Sequence, residues 1–402
     1  MPPRKNLRLA SFDAGGVRGF SLLEIMKTIM HWLNWDEGSN EFEGRALPYQ
    51  HFDLIGGSGT GGLLAIMFAR LRMSVEEASD EFFTVTEEVY KHDTLDSSER
   101  SKRLRRCMEE MLLRRGLPLD VKLMEETPGK GCAGFVVASL RNNLETRMCL
   151  RTYPVRVQPS STITVVEAAL ATCATQPSFA PVSFGERYLK REYVGPGFGA
   201  SNPVQEVIAE AHLLFGGDSS ISTLLSLGTG HPGIVTLSEK DSGEYYKVMR
   251  DMMNDCEQKA LDIEQRLGPV GIYSRFSVDQ GLQNHHPGEL ANPGWITAQT
   301  EVYLTRHDTR DKIDTLVRNL KAEEGSVSLD QLKHVGGHGI GRMADIVKKS
   351  YDILISNLDD VIIAKLKPLD AATIEGHDVG SLRLAAGGWS RDVDRIAVRR
   401  RC

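Results

Sequence analysis

An α/β fold built on a mostly parallel sheet is the class this sequence predicts, on three observations. Leu7–Phe12 is a short apolar run that ends in a glycine-rich loop, Asp13–Gly19, and passes into a helix-like stretch from Ser21 to about Leu33. Phe52–Ile55 repeats the arrangement, with a glycine-rich turn at Gly56–Gly62 and the helical stretch Leu63–Leu71 after it. Strand, glycine turn and helix, twice over, is the pattern of a parallel or mixed sheet flanked by helices. The third observation is that the alternation continues: Phe135–Ala138, Met148–Tyr153 and Leu224–Leu227 read as strands, Val75–Arg115, Glu167–Thr172 and Tyr245–Gln265 as helices.

Size and composition bound the rest. A chain of 402 residues makes one large α/β domain with an appendage, or two domains. At 41% apolar and 25% charged it has the composition of a globular protein with a full core. A net charge of −6 argues against a whole-surface nucleic-acid binder. No apolar run reaches the length of a membrane-spanning helix, and the first residues show no apolar leader core. The six scattered cysteines form no Cys-x-x-Cys pair and read as reduced thiols, which together with the missing leader predicts a cytoplasmic protein.

After about residue 310 the character changes. Asp311–Ala322 and Met343–Lys365 are helical stretches joined by a glycine-rich segment, and a tail closes on Arg399–Cys402. The division expected is therefore 1–310 for the main domain and 311–402 for a helical C-terminal extension.

Separated stretches, in order, resemble the patatin-like phospholipase family of lipid acyl hydrolases. Asp13-Ala14-Gly15-Gly16-Val17-Arg18-Gly19 resembles the family's oxyanion loop, in which glycine stands where this chain has Ala14. Residues 52–62 resemble the nucleophile turn, 171–182 and 193–203 two further signature segments, and Ser226–Gly230 the strand and turn that usually follow. Several motifs in order and at matching spacing are far more specific than one glycine pattern. The resemblance covers roughly 5–310. It implies a three-layer α/β/α fold whose members use a serine nucleophile and an aspartate base, with no metal and no cofactor.

Both positions depart from the family pattern. Laid on residues 56–62 without a gap, the nucleophile falls on Gly59; laid on the segment ending at Asn202-Pro203, the aspartate falls on Gly195. Acyl-enzyme chemistry needs an activated oxygen and a base, and glycine supplies neither. Ser58 is the nearest hydroxyl, but neighbouring side chains at a strand end point to different faces, so it reads as an ordinary turn residue. Returning serine to 59 and aspartate to 195 is expected to return esterase activity.

What the resemblance leaves is a donor set. The backbone of Gly15, Gly16 and Val17, with Arg18, is expected to face the N-terminal end of a helix that begins around Ser58, Gly59, Thr60 and Gly61. Such amides receive an anionic oxygen. The alternative is that these glycines serve only close packing and that Arg18 is structural. Three functions remain: a repurposed enzyme acting on a lipid-like or carbonyl-bearing small molecule, a non-catalytic lipid-binding pseudoenzyme, and a residual acyl hydrolase using Ser58. The ligand implied is lipid-like or anionic.

Other candidates carry less. His51 and Asp53 read as a strand-end contact. Asn284-His285-His286 cannot put two histidines on one face, and Gly336-Gly337 argues against a helix that would align His334 with His338, so no metal site is expected. Cys173 reads as an inert buried thiol. The basic end of the helix at 100–115 is of the kind that touches anionic membrane, but Glu109 and Glu110 interrupt it, and a solvated face is the expected reading. Peripheral membrane contact stays open on that ground.

Overall fold

The computed structural model describes residues 3–336, apart from 37–46, 93, 126–130, 157–161, 186, 197–198, 232, 234–247, 249–251, 253 and 284–291. Strand β1 (Leu7–Phe12) leads through the glycine loop into helix α1 (Gly19–Asp36). Strand β2 (Leu54–Ser58) leads directly into α2 (Gly59–Ala65), which continues as a π turn over Ile66–Arg70. The long helical region divides into α3 (Val75–Val85) and α4 (Ser97–Arg114). A Ser74 capping box with Glu77 starts the first, and the Asp96 side chain caps the second. Strands β3 (Ala133–Leu140) and β4 (Asn143–Arg151) form a hairpin, and a second capping box at Thr164 opens α5 (Val165–Cys173).

Beyond α5, the chain makes two short strands absent from the sequence reading, β5 (Val182–Phe184) and β6 (Arg191–Val194). Helix α6 (Val204–Phe215), strand β7 (Ser220–Leu227), helix α7 (Cys256–Leu267) and strand β8 (Tyr273–Phe276) follow. The remaining elements are α8 (Pro293–Leu304), α9 (His307–Leu320), β9 (Val327–Ser328) and α10 (Leu329–Gly336).

These strands form one mixed sheet. Its centre is parallel, in the order β3-β2-β1-β7-β8, and β4, β5, β6 and β9 join it antiparallel. Side chains alternate between two cores: Leu7, Leu9, Leu54, Phe135 and Val137 face one, Phe12, Ile55, Val136 and Leu227 the other. With both faces covered, the central strands β1, β2, β3 and β7 are buried on both sides, small residues and hydroxyls included. Helices α1 to α5, α8 and α9 cover one face, and α6, α7 and α10 the other, which gives three layers.

The expected division at 310/311 falls between α8 and α9. Helix α9 packs on α1 and β7, and the compact unit that contains the described residues runs Met1–Gly337. Residues 338–402, including the helix expected at 343–365, His338 and Cys402, lie outside the described residues, as do His285 and His286. Among the described residues, no helix is long and apolar enough to cross a membrane.

Candidate functional site

The site is built at the carboxyl ends of the parallel strands. Ladder bonds run along β1, whose Phe12 pairs with Gly57 on one side and Leu227 on the other. At the next residue the chain leaves the sheet: Asp13 N–H still donates to Leu227 O at 3.0 Å, and Ala14 N–H donates to Ser201 O at 2.9 Å. Gly15 N–H donates to Thr60 Oγ1 at 3.3 Å, and Thr229 Oγ1 donates to Ala14 O at 3.1 Å. The loop is thus pinned by three neighbours, from the turns after β2, β6 and β7.

Glycine has two distinct jobs here. A Cβ on Gly61 would stand 2.4 Å from Asp13 O, and one on Gly57 would stand 2.2 Å from Gly61 O, so both permit backbone to touch backbone. Gly15 is shut in by the Thr229 side chain in the same way. Gly16 differs. Its φ is +60°, and a Cβ there would come no closer than ordinary contact with Tyr90 Cε1, at 3.8 Å, so Gly16 is held by backbone conformation and not by close packing.

The two positions that the resemblance assigns to the catalytic pair are packed by neighbours. Gly59 has φ +53°, a left-handed conformation, and a Cβ there would stand 3.0 Å from the Cβ of Ala14. Ala14 is the residue at which the loop departs from the family's glycine. The methyl missing from one side of the gap is present on the other. Gly59 N–H donates to Thr172 Oγ1 at 2.9 Å, and that hydroxyl donates in turn to Val137 O at 2.7 Å. At Gly195, a Cβ would meet Thr175 Oγ1 at 2.5 Å, Thr175 N at 2.9 Å and Thr172 O at 3.1 Å. The last two are backbone atoms, which do not yield as a flexible side-chain tip does.

Ser58 is fully buried, and its hydroxyl donates to Ala200 O at 2.6 Å. No histidine or carboxylate among the described residues is hydrogen-bonded to it. Of the loop amides, those of Ala14 and Gly15 have partners inside the protein, while those of Gly16 and Val17 meet no protein acceptor among the described residues. Arg18 Nη1 donates to Gly230 O at 3.3 Å, and no described carboxylate stands within ion-pair distance of this guanidinium. Burial lowers its pKa from the ordinary arginine value.

Behind the loop lies a charge cluster that sequence reasoning missed. Asp13, without exposed surface, accepts from Arg275 Nη2 at 2.7 Å; the same nitrogen reaches Glu257 Oε1 at 2.6 Å, and Ser277 Oγ donates to that oxygen at 2.7 Å. Burial pushes the Asp13 carboxyl up to about 6, against the opposing pull of Arg275. The signal was absent because the three charges lie far apart in sequence and meet only where β1, α7 and β8 converge.

The remaining candidates sit elsewhere. Asp53 forms ion pairs with Arg4 and Arg8, at the opposite end of β1 from the loop. The Cys173 thiol is buried, and burial alone pushes its pKa far above the ordinary value. The five described cysteines are free, and no described group of three or more His, Cys, Asp or Glu is placed to hold a metal ion.

Glycine-lined loop, strand-to-helix turn and three-layer sheet are one architecture, and the family comparison agrees with it. Residues 10–208 match the family described as patatin-like phospholipase. That stretch is a domain of this family. Phospholipase A I of Arabidopsis thaliana is 33% identical over 90 residues, a stretch that is 22% of this chain and 5% of that protein. The crystal structure of VipD from Legionella pneumophila matches over 94% of this chain and 82% of that one, at 9% identity and a TM-score of 0.35.

Proposed function

We propose that this patatin-like protein is not a hydrolase but binds a lipid-like or carbonyl-bearing small molecule, holding its anionic or polarised oxygen at the Gly15–Arg18 loop. The observation that carries this reading is the packing of the two dyad positions, with the Ala14 methyl against Gly59 and Thr175 against Gly195. A serine merely lost would leave a gap beside an otherwise competent base. Here a nucleophile at 59 would press on the Ala14 methyl, and a base at 195 would need the 172–175 backbone to shift.

Binding chemistry survives where catalytic chemistry does not. The amides of Gly16 and Val17, which meet no acceptor among the described residues, and the Arg18 nitrogens beyond the one bonded to Gly230 O supply the donors. A half-buried cation with no described carboxylate in ion-pair contact, Glu257 acting on it only from farther off, favours an anionic ligand, because desolvation has already been incurred. Gly59 N–H and Gly15 N–H contribute less than the sequence suggested, since threonine hydroxyls already accept from them. Mass spectrometry of small molecules that co-purify with the full chain tests the reading. A lipid-like molecule near one per protein is expected, and a protein that carries none and takes up none from a lipid extract would sink it.

A second reading, repurposed catalysis, is favoured by the same two amides, because donors preset around a carbonyl stabilise charge that develops there whether or not the step is hydrolysis. Turnover of the co-purified molecule separates the two. Hydrolysis through Ser58 has the least support: its hydroxyl is buried and committed to Ala200 O. We take the protein to work in the cytoplasm or at a membrane facing it, which fractionation of the full chain tests.

A further inference from the structure

The basic surface that the sequence pointed to is largely neutralised. On and beside α4, Arg103, Arg105, Arg106, Arg114 and Arg115 each stand within 4.0 Å of a glutamate carboxylate. A second cationic surface has less such cover. It lies at the tip of the β3–β4 hairpin and the connection between β5 and β6. Arg187, Lys190 and Arg191 are exposed there, and none forms a salt bridge among the described residues. Arg141 joins them from the hairpin, paired through Nη1 with Glu192 Oε1 at 2.8 Å.

The position of this surface follows from strand register. Val137 of β3 pairs with Ser58 of β2, and β3 runs on to Leu140, which pairs with Tyr193 of β6. Three residues of strand is roughly 10 Å. The hairpin tip therefore stands about that far beyond the Ser58–Gly59 turn, on the same edge of the sheet. Strand β6 runs the other way, from Arg191 at this rim back to Val194 and then Gly195. One short strand thus connects the cationic rim to the candidate site.

Two further features select a partner. Tyr188 is 90% exposed and Leu144 40% exposed, so an aromatic ring and an aliphatic side chain stand in water among the cations. A cavity of about 540 Å³ opens between the two turns, lined by Leu140, Arg141, Asn142, Lys190, Arg191 and Glu192. Cations beside exposed aromatic and aliphatic groups are the composition of an interfacial membrane contact. The net charge of −6 on the whole chain makes a local cationic rim orienting as well as attractive.

We propose that this rim docks on the surface of an anionic phospholipid membrane, with the cavity receiving a headgroup phosphate and the Gly15–Arg18 loop turned toward the bilayer. The inference rests on the reading that the bound molecule is lipid-like. Flotation of the full chain with vesicles of neutral phosphatidylcholine, alone or with about a third phosphatidylglycerol, tests it. Binding to the anionic vesicles only, weakening as salt rises from low to physiological strength, is expected. The double variant Lys190→Gln with Arg191→Gln is expected to lose roughly 30-fold in partitioning, the equivalent of about 1 kcal/mol per cation at an anionic surface. Tyr188→Ser is expected to weaken binding further, and Lys102→Gln on α4 to leave it unchanged. All of these positions are exposed, so thermal unfolding of each variant should match the parent.

Equal binding to both vesicle types, or to neither, overturns the proposal. So does a Lys190→Gln/Arg191→Gln variant that floats like the parent. Binding of acidic polyglutamate with the same dependence on these residues, without vesicle binding, would assign the rim to an acidic protein instead. Failure here with a lipid still co-purifying sinks only the docking surface; docking without any bound lipid sinks only the proposed function.

Discussion

Gly59→Ser is the perturbation that most directly probes the site. Serine at this position must adopt φ +53°, which costs an L-residue roughly 1–2 kcal/mol. Its Cβ must also lie 3.0 Å from the Ala14 Cβ, inside the optimal carbon separation of about 3.5–4.0 Å. Overpacking of that kind costs about 1–3 kcal/mol, so the variant should lose roughly 2–5 kcal/mol in all. Ala14→Gly then changes sign with background. In the parent it should cost about 0.4–1 kcal/mol through the freer unfolded chain, plus the lost methyl contact. In the Gly59→Ser background it should recover most of the overpacking. Urea unfolding of the parent, both single variants and the double variant gives the coupling, expected at about 2 kcal/mol. Additivity within about 0.3–0.5 kcal/mol would refute the idea that a methyl has crossed the gap. Gly195→Asp faces a harder obstacle, since its Cβ would meet Thr175 N at 2.9 Å and Thr172 O at 3.1 Å. The sequence-based expectation that Gly59→Ser with Gly195→Asp returns esterase activity is therefore revised: that variant should remain inactive unless the 172–175 segment moves.

Three further outcomes follow from the same geometry. A fluorophosphonate probe should leave the parent unlabelled, and stoichiometric labelling mapped to Ser58 would reinstate the hydrolase reading. Thr172→Val removes the acceptor of Gly59 N–H and the donor to Val137 O, and should cost about 1–3 kcal/mol by chemical denaturation; a neutral effect would mean the turn is held otherwise. Because the Asp13 pKa is raised from 3.8 to about 6 on folding, the folded state binds this proton more tightly than the unfolded chain. Its contribution is fully present below the unfolded value and lost as pH rises through about 6, at most about 3 kcal/mol in total. The stability of the parent relative to Asp13→Asn should therefore fall between pH 4 and 7, and a flat difference would show that Arg275 keeps the carboxyl ionised throughout.

The frame was legible because its elements carry local signals. Leu7–Phe12 places Leu7 and Leu9 on one face and Ala10 and Phe12 on the other and stops at a glycine loop, and the strand is found at those residues. Phe52–Ile55 located the second strand, yet β2 runs Leu54–Ser58, because Gly56, Gly57 and Ser58 have no strand propensity of their own. They extend because β1 and β3 supply ladder partners on both sides. Strands β5 and β6 were illegible for a related reason. Three and four residues long, with polar Ser183, Arg191 and Glu192, they exist as additions to the end of β3.

Within the site, the sequence grouped Gly15, Gly16, Gly59 and Gly61 as one donor set, and the structure separates them by what each Cβ would meet. Gly61 and Gly15 are spaces filled by Asp13 O and the Thr229 side chain; a bulky residue at Gly61 would test the fold and not the ligand. Gly59 is a space filled by Ala14. Only Gly16 combines a left-handed backbone, an N–H without a described acceptor and a side in no more than ordinary contact with Tyr90. Substitution read one residue at a time cannot reveal this, because the occupant of each space comes from another segment: Ala14 for Gly59, Thr175 for Gly195. The departure at Ala14 was visible in the motif, but its consequence is a distance, and distances between segments are set by the sheet register. Gly16, Val17 and Arg18 are thus what remains of the donor set once the protein's own acceptors are counted, and a ligand that reaches the site must meet that smaller group.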